Sequence, residues 1–148
     1  MVHWFRSAVR YRSLAPIAAI LLSTCLAACS ASKDVDIATA AIAQFRELMA
    51  AHKFEQIYSE SADDLKKSTT EQSLTRLLDA VDRKLGTFKS AQSNGWSVNY
   101  NTSGSSVTMK FNTQFEKGTG VETFAYRISG GKALLAGYQI NSADMMIN

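Results

Sequence analysis

The period of the hydrophobic residues changes once along this chain, at Gly86, and this change limits the fold more than any other feature. Before Gly86, apolar residues recur every three or four positions, which is the spacing of amphipathic helices. After Gly86 they alternate with polar residues, which is the spacing of strands with one buried face. Helices followed by strands, without alternation between the two, predict an α+β domain.

The helical half begins with a helix predicted over residues 35–52. Asp34 or Asp36 is its expected N-cap, and Arg46 falls on the polar side of its helical wheel. A short second helix is predicted over residues 53–58 because Phe54, Ile57 and Tyr58 can face inward together. The segment after it reads as a break and one further turn, at Leu65.

The last helix is the clearest of the three. Ser68 to Glu71 fits a capping box, and Thr69 to Gln72 fits one a residue later. Gly86 stands where a left-handed C-cap belongs. Asp79 and Arg83 are spaced for an ion pair on the outer face. The inner face is an apolar stripe formed by Leu74, Leu77, Leu78, Val81 and Leu85.

Four or five strands are predicted after Gly86. Asn94-Gly95 predicts a hairpin, because Asn-Gly is typical of tight two-residue turns. Further turns are predicted at residues 103–105, 117–120 and 130–131. Strands joined by turns this short must be antiparallel. The prediction is therefore N-terminal helices packed on one face of a curved antiparallel sheet.

Side-chain alternation assigns the inner faces of the last two strands. The predicted inner residues of these strands are Phe124, Tyr126 and Ile128, then Leu134, Ala136, Tyr138 and Ile140. Trp96, Val98 and Tyr100 share one face of an earlier strand. These residues alternate with polar ones, as expected for a sheet with one covered face.

The N-terminus has the layout of a secretory signal. Arg6, Arg10 and Arg12 precede an uncharged run that extends to Ala28. A basic segment, an apolar segment and a small-residue site follow one another, as in signal peptides. The apolar run is shorter than the roughly 20 residues that a transmembrane helix needs.

Leu26-Ala27-Ala28-Cys29 resembles the lipobox of bacterial lipoproteins. The resemblance implies cleavage before Cys29 and acylation of its thiol, with palmitate among the acyl chains. It divides the chain into a signal peptide (1–28), a lipidated cysteine with a polar tether (29–34) and a single domain (35–148). Ser30 favours the outer membrane, facing the periplasm. The alternative is an ordinary secretory signal in which the cysteine is incidental.

Charge and cysteine content exclude several classes of function. Three of the 16 basic residues precede Cys29 and all 13 acidic residues follow it, so the mature chain carries 13 of each sign. A neutral domain has no overall attraction for nucleic acid. With Cys29 acylated, the domain has no thiol, and His52 is its one histidine, so neither a metal nor a cofactor is expected. His52 is expected to be solvated, the alternative being a catalytic role.

The order of elements resembles the nuclear-transport-factor-2-like fold, a cone of helices closed by a bent sheet, also described as cystatin-like. Over residues 36–142 the chain also resembles the bacterial secreted domains of the domain-of-unknown-function 4019 family. The segments that carry this resemblance are Phe54–Tyr58, Arg83–Gly86, Thr113–Glu116, Glu122–Phe124 and Gly137–Ser142. The chain departs from the family at Leu74, where family members often have an aromatic residue. The family has no established activity, so the resemblance implies none for this chain.

The cone fold implies a pocket, as in ketosteroid isomerase and scytalone dehydratase. The candidate pocket residues are Tyr58, Phe124, Tyr126 and Tyr138. A catalytic pocket would need an inward acid, from Asp63, Asp64 or Glu122, beside a tyrosine donor. The alternative is acids on the surface and tyrosines in the core with satisfied hydroxyls, which is favoured because no carboxylate lies inside an apolar run.

Three functions follow in order of preference. The first is a non-enzymatic, lipid-anchored envelope protein that binds a small ligand or a protein partner. The second is an isomerase or dehydratase that uses the cone pocket. The third is a structural accessory of an envelope assembly. An exposed apolar patch on a filled cone would favour the third or a homodimer.

Overall fold

Helix α1 spans Ala15–Ala50 and begins earlier than the sequence predicts. The computed structural model describes the backbone of residues 15–102 and 104–147, and the side chains of residues 31–102 and 104–146. The predicted basic segment and the side chains of the lipobox lie outside the described residues. The chain divides into two compact units, Met1–Ser30 and Ala31–Asn148, and the second is the folded domain.

The segment predicted as a polar tether is helical over residues 31–34, where it forms part of α1. Because α1 continues through this segment, neither predicted aspartate is its N-cap. Asp34 instead accepts a hydrogen bond from the Ser105 hydroxyl at 2.6 Å. This contact ties the segment to the sheet, which places it within the domain.

Three helices separate α1 from the sheet. Two short helices and one longer helix follow α1, and they are α2 (Phe54–Ser59), α3 (Asp63–Ser68) and α4 (Glu71–Leu85). The N-cap of α4 is Thr70, whose hydroxyl accepts the Ser73 amide at 3.2 Å. The predicted capping boxes therefore lie one or two residues too early. The predicted stripe is confirmed, since Leu74, Leu78, Val81 and Leu85 are buried.

Gly86 ends α4 at φ +74° and ψ −163°, so φ is positive as predicted, but ψ lies outside the left-handed helical region of the predicted cap and in a region that is essentially restricted to glycine. A Cβ atom at this position would lie 3.0 Å from the Cβ of Glu116. Both the backbone angle and the close approach of the strand end therefore require glycine.

The sheet is a four-stranded antiparallel meander. Its strands are β1 (Phe88–Asn101), β2 (Gly104–Phe115), β3 (Thr119–Ser129) and β4 (Lys132–Asn141), in the order β1-β2-β3-β4. A short helix, α5 (Asp144–Ile147), follows it. The α+β class and the antiparallel pairing are confirmed.

Asn94-Gly95 is a β-bulge, so the predicted hairpin is wrong. Strand β1 pairs with β2 on both sides of it, Ser93 with Phe111 and Trp96 with Met109. One extra residue on β1 is accommodated between these pairs, with Gly95 at φ +107°. The chain does not reverse here because both halves of β1 find their partner in the same strand.

A bulge also shifts the inner face of β4. Ala125 pairs with Gly137 while the adjacent Tyr126 pairs with Leu135, which leaves Ala136 as the extra residue. Leu135 is consequently 5% exposed and Leu134 is 41% exposed. The prediction that Leu134 faces the core is wrong, because strict alternation does not survive an inserted residue.

Helix α1 covers the centre of the sheet. The Thr39 hydroxyl contacts the Met109 sulfur at 3.9 Å, and the Phe45 ring meets the Phe124 ring edge-on at 5.2 Å. The main buried cluster includes Phe45, Phe124 and Leu78. The core therefore lies on one face of the sheet, where α1 and α4 contribute to it.

The bulge in β4 can be tested with a pair of adjacent substitutions. Leu135→Ala should lower the free energy of unfolding by about 2–5 kcal/mol, because it leaves a cavity in the core. Leu134→Ala should change it by no more than about 0.5 kcal/mol, as for other surface substitutions. Chemical denaturation measures both, and a larger loss at Leu134 would contradict the bulge.

Candidate functional site

The carboxylate of Glu122 is buried at the centre of the domain. It lies on the face of β3 that also carries Phe124 and Tyr126, and its residue has no solvent exposure. Among the described residues, it is the one acidic residue that is buried. An isolated buried carboxylate is strongly destabilising, so its partners decide what it can do.

Three side chains donate four hydrogen bonds to this carboxylate. Arg46 donates to Oε1 from Nη1 at 2.9 Å and to Oε2 from Nη2. Tyr138 donates to Oε1 at 2.7 Å, and Thr113 donates to Oε2 at 2.6 Å. Each oxygen accepts two bonds, which fills the four acceptor positions of a carboxylate. We call these four residues the Glu122 cluster.

The register of the sheet brings the cluster together. Glu122 pairs with Phe111 on β2 and with Ile140 on β4. Thr113 and Tyr138 are each two residues from those partners, so they are its diagonal neighbours on the same face. Arg46 reaches the carboxylate from α1. The cluster therefore joins α1 to three strands.

Aromatic rings enclose the Arg46 guanidinium. Its carbon Cζ lies 4.4 Å from the centre of the Phe88 ring and 5.3 Å from that of Phe124. The Arg46 side chain is only 13% exposed. A guanidinium over a ring face within about 6 Å gains a cation–π attraction, which strengthens when water is excluded.

Burial raises the pKa of the Tyr138 hydroxyl well above its ordinary value. The charge of Glu122 and its hydrogen bond with the hydroxyl raise this pKa further, whereas the charge of Arg46 lowers it. Burial also raises the pKa of Tyr126, again against Arg46. Both phenols therefore remain protonated hydrogen-bond donors at neutral pH.

Three cavities in the described part of the chain border this region, and one of them, of about 520 Å³, includes Thr113 in its lining. The other two are smaller, and Arg46 and Tyr126 line one each. The larger of these two, which we call the Arg46 cavity, has a volume of about 140 Å³ and is lined by residues that include Arg46, Met49, Val81, Asp82, Phe88 and Phe115. The smaller, the Tyr126 cavity, has a volume of about 50 Å³ and is lined by residues that include Phe45, Ile57, Glu60, Tyr126 and Leu135. Glu122 lines none of the three.

The predicted pocket residues do not form one pocket wall. Phe124 lies against Tyr138 and Tyr126, with ring centres 5.2 Å and 6.4 Å away. Of these three residues, Tyr126 lines the Tyr126 cavity and the other two line none of the cavities. Tyr58 lies on α2, where its hydroxyl donates to the Thr69 carbonyl at 3.4 Å.

The predicted satisfaction of the tyrosine hydroxyls is correct for Tyr138 and wrong for Tyr126. The Tyr126 hydroxyl is buried without a hydrogen-bond partner among the described residues. Such a group is less stable than a paired one by roughly 1–3 kcal/mol. The hydroxyl is therefore an uncompensated donor inside the core.

The candidate acids divide between surface and core. Asp63 and Asp64 are exposed, and Asp64 pairs with Arg127 at 2.6 Å. Placing Glu122 on the surface is wrong, because β3 carries it on the face with Phe124. His52 is exposed after the end of α1, with Nδ1 3.5 Å from the Asp82 carboxylate.

Sequence reasoning missed Arg46 and Thr113. Arg46 was assigned to the polar side of the helix, yet it is four residues from Ile42 and therefore lies near the apolar stripe. Thr113 alternates with Phe111 and Phe115, so it shares their face. The spacing of each residue from its apolar neighbours could therefore have identified both as inward-facing.

No protein-family model matches the chain, and a search of curated proteins finds no similar sequence. In the described part of the chain, no helix combines the length and apolar content needed to cross a bilayer. Among the described residues, no three His, Cys, Asp or Glu side chains are grouped to hold a metal ion.

The Glu122 cluster predicts a large difference between two arginine substitutions. Arg46→Met should lower the free energy of unfolding by about 3–5 kcal/mol, because it leaves a buried carboxylate without its counter-charge. Arg83→Met is the matched control, since it breaks only the exposed pair with Asp79. This substitution should lower the free energy of unfolding by less than about 1 kcal/mol. Urea denaturation measures both, and equal small losses would refute a buried ion pair.

The raised tyrosine pKa values predict a loss of stability in alkali. Above the ordinary tyrosine pKa of 10.0, tyrosines of the unfolded chain lose protons while Tyr138 and Tyr126 keep theirs. The unfolded state then binds fewer protons, so the free energy of unfolding falls as pH rises, by up to about 1.36 kcal/mol per pH unit for each group.

Tyr138→Phe should make this alkaline decline shallower, because it removes one of the two groups. Tyr100→Phe is the matched control, since the Tyr100 residue is 56% exposed on β1. Denaturation curves between pH 8 and pH 12, roughly the range that brackets tyrosine ionisation, measure the slope. An unchanged slope in Tyr138→Phe would count against the protonated, buried hydroxyl.

Proposed function

We propose that this protein is a lipid-anchored component of the bacterial cell envelope, held to the membrane by acylated Cys29. The support is the order of a basic segment, an apolar segment and Leu26-Ala27-Ala28-Cys29. Ser30 supports the outer membrane, with the domain facing the periplasm. Several acyl chains on one cysteine, as the lipobox resemblance implies, give lasting attachment, whereas a single chain holds only weakly.

The folded domain, in this proposal, is a non-enzymatic binding module for a small ligand. The observation that carries it is that Arg46, Thr113 and Tyr138 fill all the hydrogen-bond acceptor positions of the Glu122 carboxylate. A general base needs a free oxygen within reach of substrate. The Arg46 cavity and the Tyr126 cavity offer space for a ligand instead, and Glu122 lines neither.

The fold belongs to the proposal as well. Helices that precede an antiparallel meander and cover one face of it support the nuclear-transport-factor-2-like cone and the resemblance to the domain-of-unknown-function 4019 family. Bulges in β1 and β4 supply the local bending that a cone requires.

One observation favours an isomerase or dehydratase as the second candidate. Glu122 and Tyr138 form an inward acid with a phenol donor at 2.7 Å, which is the pair such an enzyme uses. Catalysis would require Arg46 to release the carboxylate and a cavity to open beside it.

The exposed aromatic residues Trp96 and Tyr100 on edge strand β1 support a protein partner or a homodimer.

The anchor is tested by replacing each cysteine in turn. Cys29→Ala should leave the protein uncleaved or soluble, because it removes the acylated thiol. Cys25→Ala is the matched control and should still fractionate with membranes, since that cysteine is removed with the leader. Membrane fractionation and mass spectrometry of the N-terminus give the readout. A Cys29→Ala protein that has lost its leader and still fractionates fully with membranes would reject the anchor.

A further inference from the structure

We infer that the Arg46 cavity binds a small uncharged ring compound that carries one hydrogen-bond acceptor, with the acceptor directed at the guanidinium of Arg46. This inference rests on the proposed function, since it names the ligand class of a binding module. It depends on the size of the cavity, on the free donors of Arg46 and on the balance of charge around them.

The size and the walls suit a single ring. The cavity holds about 140 Å³, close to the roughly 150 Å³ of an apolar protein cavity that binds benzene. Met49 of α1, Val81 of α4, and Phe115 and Phe88 at the ends of two strands supply apolar surface. Four elements converge on this space, so its shape is set by the packing of the domain.

The donors come from the unused part of the guanidinium. Arginine has five N–H groups. Two of them donate to Glu122, and Arg46 has no further acceptor among the described residues. Three N–H groups of a largely buried cation therefore remain for an occupant. A hydrogen bond to a charged donor is stronger than one between neutral groups.

The charge balance selects a neutral acceptor over an anion. Glu122 neutralises Arg46, and the carboxylate of Asp82 also lines the cavity, beside the His52 ring at 3.5 Å. An anion entering the cavity would lose its hydration and meet no uncompensated positive charge from Arg46. A carbonyl oxygen loses less hydration and still accepts from the guanidinium.

Phe88 provides the wall that a variant can remove. Its ring lies against the guanidinium, yet the residue is 41% exposed at the beginning of edge strand β1. Replacing it opens the cavity to water and removes a cation–π contact without truncating a fully buried residue. Trp96 is the matched control, because it is also an exposed aromatic residue of β1 and lies outside the cavity.

The test uses the full-length chain labelled with ¹³C at its methionine methyl groups. Met49 lines the Arg46 cavity, whereas Met109 is buried in the main core and serves as an internal control. The probes are cyclohexanone, its acceptor-free analogue methylenecyclohexane, and cyclohexanecarboxylate. Cyclohexanone should shift the Met49 methyl signal saturably and leave Met109 unmoved.

The three probes and two variants separate the parts of the inference. Methylenecyclohexane and cyclohexanecarboxylate should each bind about tenfold more weakly than cyclohexanone, the first for lack of a hydrogen bond and the second for its charge. Phe88→Ala should weaken cyclohexanone binding about tenfold, and Trp96→Ala should leave it unchanged.

Each contrary outcome has a distinct meaning. Tighter binding of the carboxylate, or equal binding of methylenecyclohexane, would overturn the ligand class. A second, ¹⁵N-labelled sample reports on the Tyr126 cavity, whose described lining contains no methionine. Probes that shift backbone amides of the Tyr126 cavity in that sample and do not move Met49 would overturn this site while the binding module stands. If no probe moves Met49 and a wider set of small molecules moves no signal of the domain, the site and the binding module both fail.

Discussion

The ion pair between Arg46 and Glu122 is the interaction on which the rest of the domain depends. It places two charges inside a core built from Phe45, Phe124 and their neighbours. Such a pair is tolerated only when hydrogen bonds satisfy its remaining atoms. Thr113 and Tyr138 meet that requirement for the carboxylate, so the position of α1 over the sheet and the register of three strands are linked through Glu122.

The two partners of this ion pair differ in how much of their hydrogen-bonding capacity is used. The carboxylate has all its acceptor positions filled, which argues for a structural role. The guanidinium uses only part of its donor capacity and lines a cavity, which argues for recognition. An arginine held by a buried partner and two rings is preorganised, so little side-chain entropy remains to be lost on binding.

Hydrophobic period was sufficient to predict helices α2 and α4, the C-terminal part of α1 and the antiparallel strands, but it did not predict the early start of α1 or the short helices α3 and α5. The stripe through Leu78 and the stop at Gly86 depend on neighbours within a few residues, so local pattern predicts them. Asn94-Gly95 and Leu134 were mispredicted because a bulge depends on the partner strand, which local sequence does not specify. The resulting errors are of phase and turn type, whereas the order of helices and strands is correct.

The site was harder to predict for a related reason. A charged residue in an alternating pattern is usually on the surface, and Glu122 is separated from Arg46 by 76 residues. Neither residue indicates burial alone, because each is tolerated in the core only by virtue of the other. Tyr138 was a candidate donor from sequence, but its acceptor could be identified only from the paired strands.

A double-mutant cycle on Arg46→Met and Glu122→Gln tests the central claim most directly. If the two side chains form a buried pair, the double variant should be more stable than the sum of the single losses predicts, with a coupling energy toward the upper end of about 0.5–3 kcal/mol. Unfolding free energies that add to within about 0.5 kcal/mol would show that the two side chains do not interact and would contradict the account.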